Sequence, residues 1–181
     1  MLDRGDLPYL KERCRLHRKK SYYSPDRKAD VEFENVIEVF VKDNIDAKNP
    51  KPTHVVIFEC KDHGRNVEVG KVDEFIGRLN LSFGFSTKGY LVTRKGFSSG
   101  AFETAASKGV GLIKIMPEGR VSFLMYHMTH EVMQDMWRNF PRRASLALLN
   151  ENYESNGERF YAIDNGKAFA SFEEIMKRNF I

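Results

Sequence analysis

His54-Val55-Val56-Ile57-Phe58-Glu59-Cys60-Lys61 places four apolar residues in a row and closes on two charges. A β-branched apolar run of this length reads as a strand buried on both faces, as in the middle of an α/β sheet. Period-two alternation then sends Glu59 and Lys61 to one face and Cys60 to the other. Charge at the end of a buried strand is costly unless it is paired or holds a cation. The stretch is therefore an internal ion pair or an active site, and the flanking sequence has to decide.

Upstream, Lys42 to Thr53 is polar, carries Pro50 and Pro52, and reads as a loop. Before it, Val31 to Val41 alternates, with Val31, Phe33, Ile37, Val39 and Val41 on one face and Glu32, Glu34, Val36, Glu38 and Phe40 on the other. Two strands joined by such a loop most simply pair antiparallel. Setting Val41 against His54 puts Lys61 opposite Glu34 and Glu59 opposite Val36, with Glu34 and Glu38 diagonal to Glu59 on one side of the sheet. Ser24-Pro25-Asp26 is turn chemistry. Leu7 to Lys20 is expected to be a short helix with Pro8 in its first turn. Its basic face and tail hold Lys11, Arg13, Arg15, Arg18, Lys19 and Lys20, either as a solvated surface or as an arm for phosphates.

Downstream, Asp62 to Asn66 is a polar turn containing Arg65, and Val69 to Leu81 has helical spacing through Val72, Phe75, Ile76 and Leu79. Tyr90 to Thr93 reads as a third strand. Arg94 to Gly100 is a loop whose serines can cap a helix over Ala101 to Lys108, ended by Gly109. Val110 to Met116 is a fourth strand. The order predicts an α/β domain over residues 1–120, with a mixed sheet covered on both faces. Residues 121–181 form an α+β extension. In it, Val121 to Tyr126 suggests a strand, and Met128 to Arg143 is a segment of mixed spacing. Two short strands (Arg159 to Ala162, Lys167 to Ala170) flank the hairpin signal Asp164-Asn165-Gly166, and a capping box at Ser171 to Glu174 opens a last helix.

With 41% hydrophobic and 30% charged residues, the 181-residue chain can build a core and is not a disordered protein. A formal charge of +4 leans towards an anionic partner. Cys14 and Cys60 form no C-x-x-C pair and the five histidines are scattered, so no zinc pattern appears. Cys60, on the inward side of its strand, suits a reduced thiol. No apolar run fits a signal peptide or a membrane span, so a cytoplasmic protein is expected.

Glu34 (or Glu38), Glu59 and Lys61 then form the candidate chemistry. Carboxylates on adjacent strands repel unless a divalent cation lies between them, and hard oxygen ligands suit magnesium. A lysine beside the ion can orient or deprotonate a water, and the ion offsets charge building on a phosphate. That set serves phosphodiester hydrolysis, with the basic segments holding the backbone. Against it, Glu-x-Lys is common by chance and strand-borne Glu–Lys pairs are ordinary cross-strand partners.

Phe58-Glu59-Cys60-Lys61-Asp62, then Val69-Gly70-Lys71-Val72-Asp73-Glu74-Phe75, then Lys88-Gly89-Tyr90-Leu91-Val92-Thr93-Arg94-Lys95-Gly96-Phe97-Ser98-Ser99-Gly100-Ala101 resembles the catalytic domain of Mrr-like restriction endonucleases, of the PD-(D/E)XK nuclease superfamily. The resemblance covers roughly residues 30–115 and keeps the family's block order. It implies a restriction-endonuclease-like fold with a central mixed sheet of four to five strands flanked by helices, and Mg2+- or Mn2+-dependent cleavage of DNA. Glu59 would be a metal ligand, Lys61 the catalytic lysine, and the main-chain carbonyl of Cys60 a further ligand. The family's first acid, normally aspartate, falls at Glu34; glutamate is one methylene longer, moving the ligand by about 1.5 Å, roughly a bond length. Arg15, Arg18, Lys19, Lys20, Arg65, Arg94 and Lys95 are the candidate DNA contacts. Two other readings stay open: a nuclease fold without catalysis that binds nucleic acid, and a module whose residues 120–181 form a partner or homodimer surface.

Overall fold

The strand His54–Cys60 lies third in a seven-stranded sheet, with Val55, Val56 and Ile57 fully buried and Phe58 nearly so. The computed structural model describes residues 13–41, 48, 50–61, 64–82, 86–117, 138–155 and 158–180. The strands follow chain order across the sheet: β1 (Cys14–Ser24), β2 (Ala29–Val39), β3 (His54–Cys60), β4 (Ser86–Thr93), β5 (Gly111–Ile115), β6 (Phe160–Asp164) and β7 (Lys167–Phe169). β3, β4 and β5 run parallel, and every other neighbouring pair is antiparallel. The parallel steps are made by crossover helices α1 (Val69–Ser82) and α2 (Ser99–Ser107), and α3 (Phe140–Leu149) and α4 (Phe172–Phe180) follow later in the chain.

This is the expected mixed sheet between helices, wider than four to five strands. One face packs Val36, Val55, Ile57 and Leu91 against Val72 and Phe75 of α1 and Ala101 and Ala105 of α2. The other packs Ile37, Val56, Phe58, Tyr90 and Ile113 against Ile175 and Met176 of α4. Burial of β3 on both sides explains why its apolar residues run on rather than alternate. Phe140, Ala144 and Ala147 of α3 form a third cluster with Met116 and Tyr161.

Two expectations fail. Residues 14–20 belong to an edge strand, not a helix; the remainder of the expected helix lies outside the described residues. The long ladder to β2 overrides local preference, and a lysine-rich sequence suits an edge that must not pair with other chains. Cys60 is exposed, since β3 has reached the edge of the helix layer by that point. The expected strand at Val121 to Tyr126 and most of the Met128 to Arg143 segment lie outside the described residues.

Several short signals are realised. Ser98 caps α2, its hydroxyl accepting from the Ala101 N–H at 3.2 Å. Asn165 and Gly166 take φ of 47° and 71°, the left-handed pair that a tight β6–β7 hairpin needs. Ser171 accepts from the Glu174 N–H, and the Glu174 carboxylate reaches back to the Ala170 N–H at 2.8 Å. Among the described residues, no helix is long and apolar enough to cross a membrane.

Candidate active site

The β2–β3 ladder runs from Val39↔His54 to Asn35↔Phe58 and stops. Its next rung would set Glu34 against Glu59, two residues away from the expected pairing of Glu34 with Lys61. The β1–β2 ladder is interrupted at the same level: Arg18 pairs Asn35 and Lys20 pairs Phe33, but no rung joins Lys19 to Glu34, and Lys19 takes φ of 57°. Both strands change phase here. Phe33 and Val36, three residues apart, share the α1-side core, while His17 and Lys20 both reach Glu38. Strict alternation along 31–41 therefore does not hold, and the register inferred from it slips. Beside Glu34 the β2–β3 ladder ends, and the β1–β2 ladder misses one rung before it resumes.

Glu34 is exposed and its Oε2 accepts from the Cys60 main-chain N–H at 3.3 Å. Glu59 is buried, with 3% of its side chain exposed. Its Oε1 accepts from Lys61 Nζ at 2.9 Å and from Arg78 NH1 at 2.6 Å. Its Oε2 is buried with no hydrogen-bond partner. Arg78, on α1, also donates through NH2 to the Glu32 main-chain carbonyl and lies over the Phe33 ring at 4.9 Å. Helical spacing alone assigns Arg78 to the polar flank of α1; nothing local indicates that Glu32 and Phe33 lie across from it.

Glu38 sits elsewhere, opposite Val55. Tyr22 OH donates to its Oε1 at 2.7 Å, His17 lies 2.9 Å from Oε2, and Lys20 Nζ is 3.1–3.2 Å from both oxygens. Burial pushes the Glu38 carboxyl up, but the bonds from Tyr22, Lys20 and His17 outweigh it and hold its pKa below the ordinary value. Three donors from β1 saturate this carboxylate.

The basic candidates fall into two groups. Arg15, Arg18 and Lys19 are exposed on β1, with Arg15 also over the Phe40 ring at 5.2 Å, while Lys20 is committed to Glu38. Arg65 is exposed in the stretch before α1, where an open cavity of roughly 630 Å3 is lined by Arg65, Asn66, Val67, Glu68, Gly70 and Lys71. Arg94 and Lys95 follow β4, and the Lys95 N–H bonds Thr93 Oγ1. The stretches after β3 and β4 are tied together by Val67 N–H to the Gly96 carbonyl and Ser98 N–H to the Val67 carbonyl. Arg65, Arg94 and Lys95 thus follow the same carboxyl-terminal sheet edge as Lys61, where α/β sheets bind ligands.

A buried carboxylate oxygen without a partner is expensive, and it is a hard donor. Among the described residues, no point gathers three or more His, Cys, Asp or Glu side chains. A cation held by Glu59 and Glu34 would take its other ligands from a main-chain carbonyl, water and phosphate, which is ordinary for magnesium. The donor chemistry fits Mg2+ or Mn2+.

A mixed sheet with crossover helices and an acidic opening at the end of a central strand is the architecture of a restriction-endonuclease-like nuclease. The family model Mrr_cat, described as a restriction endonuclease, matches residues 19–116, just over half of the chain, and the chain belongs to that family. The matched span holds Glu34, Glu59, Lys61 and Arg78, and the family generally uses divalent metals on DNA. No curated protein and no solved structure matches the chain significantly.

Proposed function

We propose that the protein is a metal-dependent DNA endonuclease of restriction or defence type, hydrolysing phosphodiester bonds at the opening between β2 and β3. The observation that carries this reading is the division of labour on Glu59: Oε1 is taken by Lys61 and Arg78, and Oε2 is buried and unpartnered. A buried carboxylate oxygen with no donor is costly, and a hard divalent cation would satisfy it.

Glu59 and Glu34 would hold the cation, with the Cys60 carbonyl as a third ligand. When bound, a divalent ion lowers the pKa of a water and offsets charge on the phosphate. Lys61, as the ammonium paired with Glu59, would orient the attacking water by hydrogen bond and offset the charge building on the phosphate. The water gives its proton to solvent as the new P–O bond forms and the bond from phosphorus to the 3′ oxygen breaks. The departing 3′ oxygen takes a proton from solvent. Arg18, Lys19, Arg65, Arg94 and Lys95 bind backbone phosphates on either side. Residues 1–120 would form the nuclease domain and 121–181 an extension that continues the sheet through β6 and β7.

Nicking of plasmid DNA tests this. Cleavage should require Mg2+ or Mn2+ and fall at least a hundredfold in Lys61→Ala and Glu59→Ala, the scale of losing a main electrostatic group. Persistent cleavage in both would refute it.

One observation favours a second reading, a non-catalytic DNA-binding module. Lys61 and Arg78 already pair with Glu59, so its charge is offset without a bound cation. That reading predicts salt-sensitive DNA binding indifferent to metal, with no nicking by the unaltered protein.

A further inference from the structure

We infer that Arg78 is a positioning residue of this site, fixing the Glu59 carboxylate relative to the segment that carries Glu34. The inference rests on the nuclease reading above. Beyond Asn35↔Phe58 no ladder bond joins β2 to β3. Side-chain contacts span the opening instead. Glu34 accepts from the Cys60 N–H, Asn35 Nδ2 donates to the Phe58 carbonyl at 3.5 Å and to Cys60 Sγ at 4.0 Å, and Arg78 joins Glu59 Oε1 to the Glu32 carbonyl.

Arg78 is suited to that task. It rises from a helix anchored by Val72 and Phe75, which are 0% and 1% exposed. Its planar fork donates to one partner on each strand, and the Phe33 ring beneath limits movement out of the guanidinium plane. Glu32 and Phe33 immediately precede Glu34, so fixing them fixes the root of the second carboxylate. Arg78 and Lys61 share Oε1, which orients Glu59 while leaving Oε2 for a cation.

A guanidinium beside a carboxylate can act on a divalent cation in two opposite ways. As a rival charge it weakens binding, and its removal tightens it. As a positioning group it strengthens binding, and groups that orient metal ligands commonly contribute 10–100-fold in affinity, a general order of magnitude. The sign of the change separates the two.

Isothermal titration with Mn2+ in the absence of DNA reads that sign. Arg78→Ala should weaken Mn2+ binding by about 10–100-fold. Arg78→Lys, which keeps the charge but loses the reach and the rigid planar fork of the guanidinium, should weaken it too. Excess Mn2+ should restore nicking by Arg78→Ala and not by Lys61→Ala, and the KM for DNA should stay unchanged. Circular dichroism checks folding; where Arg78→Ala does not fold, Arg78→Lys carries the test alone. Equal or tighter Mn2+ binding in the folded variants overturns the inference while leaving the nuclease reading intact. An unaltered protein that binds no Mn2+ overturns that reading and this inference with it.

Discussion

Glu34 and Glu59 stand where the next rung of the β2–β3 ladder would fall, one exposed and bonded to the Cys60 N–H, the other buried and bonded to two cations. The pair is asymmetric in a way that matters for mutation. Glu59 is fixed by its surroundings, while Glu34 has one bond and solvent around it.

That asymmetry predicts a lenient site at Glu34. Glu34→Asp puts in the acid that the resemblance expects, and the shortening of about 1.5 Å falls on the exposed partner. Glu34→Asp should retain nicking within about tenfold of the unaltered protein, and Glu34→Ala should lose at least a hundredfold, as for a group acting on transition-state charge. Because the residue is exposed, neither should shift unfolding by more than about 0.5 kcal/mol. Nicking rates and thermal melts on the same samples check both halves; an active Glu34→Ala would remove this residue from the site.

Glu38 predicts an acid-sensitive β1. Its folded pKa lies below the ordinary carboxylate value, so the stability it supplies is fully present above the unfolded pKa, about 4.5. That stability is lost as pH falls through the lower folded value, because the unfolded chain then takes up a proton first. Removing the Tyr22 hydroxyl leaves a buried carboxylate oxygen short of its shortest bond. Tyr22→Phe should cost about 1.5–3 kcal/mol at pH 7, as for a hydrogen bond to a charged group. In urea unfolding from pH 7 to pH 3, Glu38→Gln should flatten the decline below pH 4.5; an unchanged slope would assign the linkage to another carboxyl.

The contrast between Glu38 and Glu59 also marks how far the sequence is legible. The β3 run, the Ser98 cap, the Asn165-Gly166 turn and the Ser171 capping box are local signals, and local chemistry realises them. The pairing of Glu59 with Lys61 is local too, two residues apart on one strand. The register is not local. It depends on where both ladders lose a rung beside Glu34, with Lys19 in the left-handed region, and no residue pattern announces that event. β1 hides for a related reason: its cross-strand partners lie on β2, and Arg15, Arg18, Lys19 and Lys20 carry no alternation to mark it. Arg78 is invisible until α1 is laid on the sheet.

Gly111 tests the buried network behind the sheet. A Cβ there would run into the ring of Tyr90, which is fully buried. The ring cannot step aside freely, since its hydroxyl donates to Asp164 at 3.0 Å and accepts from Asn179 at 2.8 Å, and Asp164 is itself paired with Lys88. Gly111→Ala should therefore destabilise by about 1–3 kcal/mol, the usual cost of overpacking. The melting temperature should fall by about 2–4 °C for each kcal/mol. Gly111→Ala in a Tyr90→Leu background should recover part of the loss. A melt unchanged in the single variant would show that the ring yields without cost.

Arg18 and Lys19 test where DNA lies. Arg18 stands opposite Asn35 and Lys19 is level with Glu34, so both flank the opening from the exposed edge strand. Lys20, one residue on, is held by Glu38 and serves as the internal control. If each exposed cation covers one phosphate, replacing both by alanine removes about two released counterions. The slope of log K against log salt should then shrink by about 1.8, at roughly 0.9 per contact. The loss should be uniform across DNA sequences, since phosphate contacts carry no base information. Lys20→Ala should leave the slope unchanged and lower stability instead. Fluorescence anisotropy on a short duplex, with Ca2+ in place of Mg2+ and salt varied from 50 to 200 mM, reads both quantities. An unaltered slope in the double variant would move the DNA off β1 and onto the side of Arg65, Arg94 and Lys95.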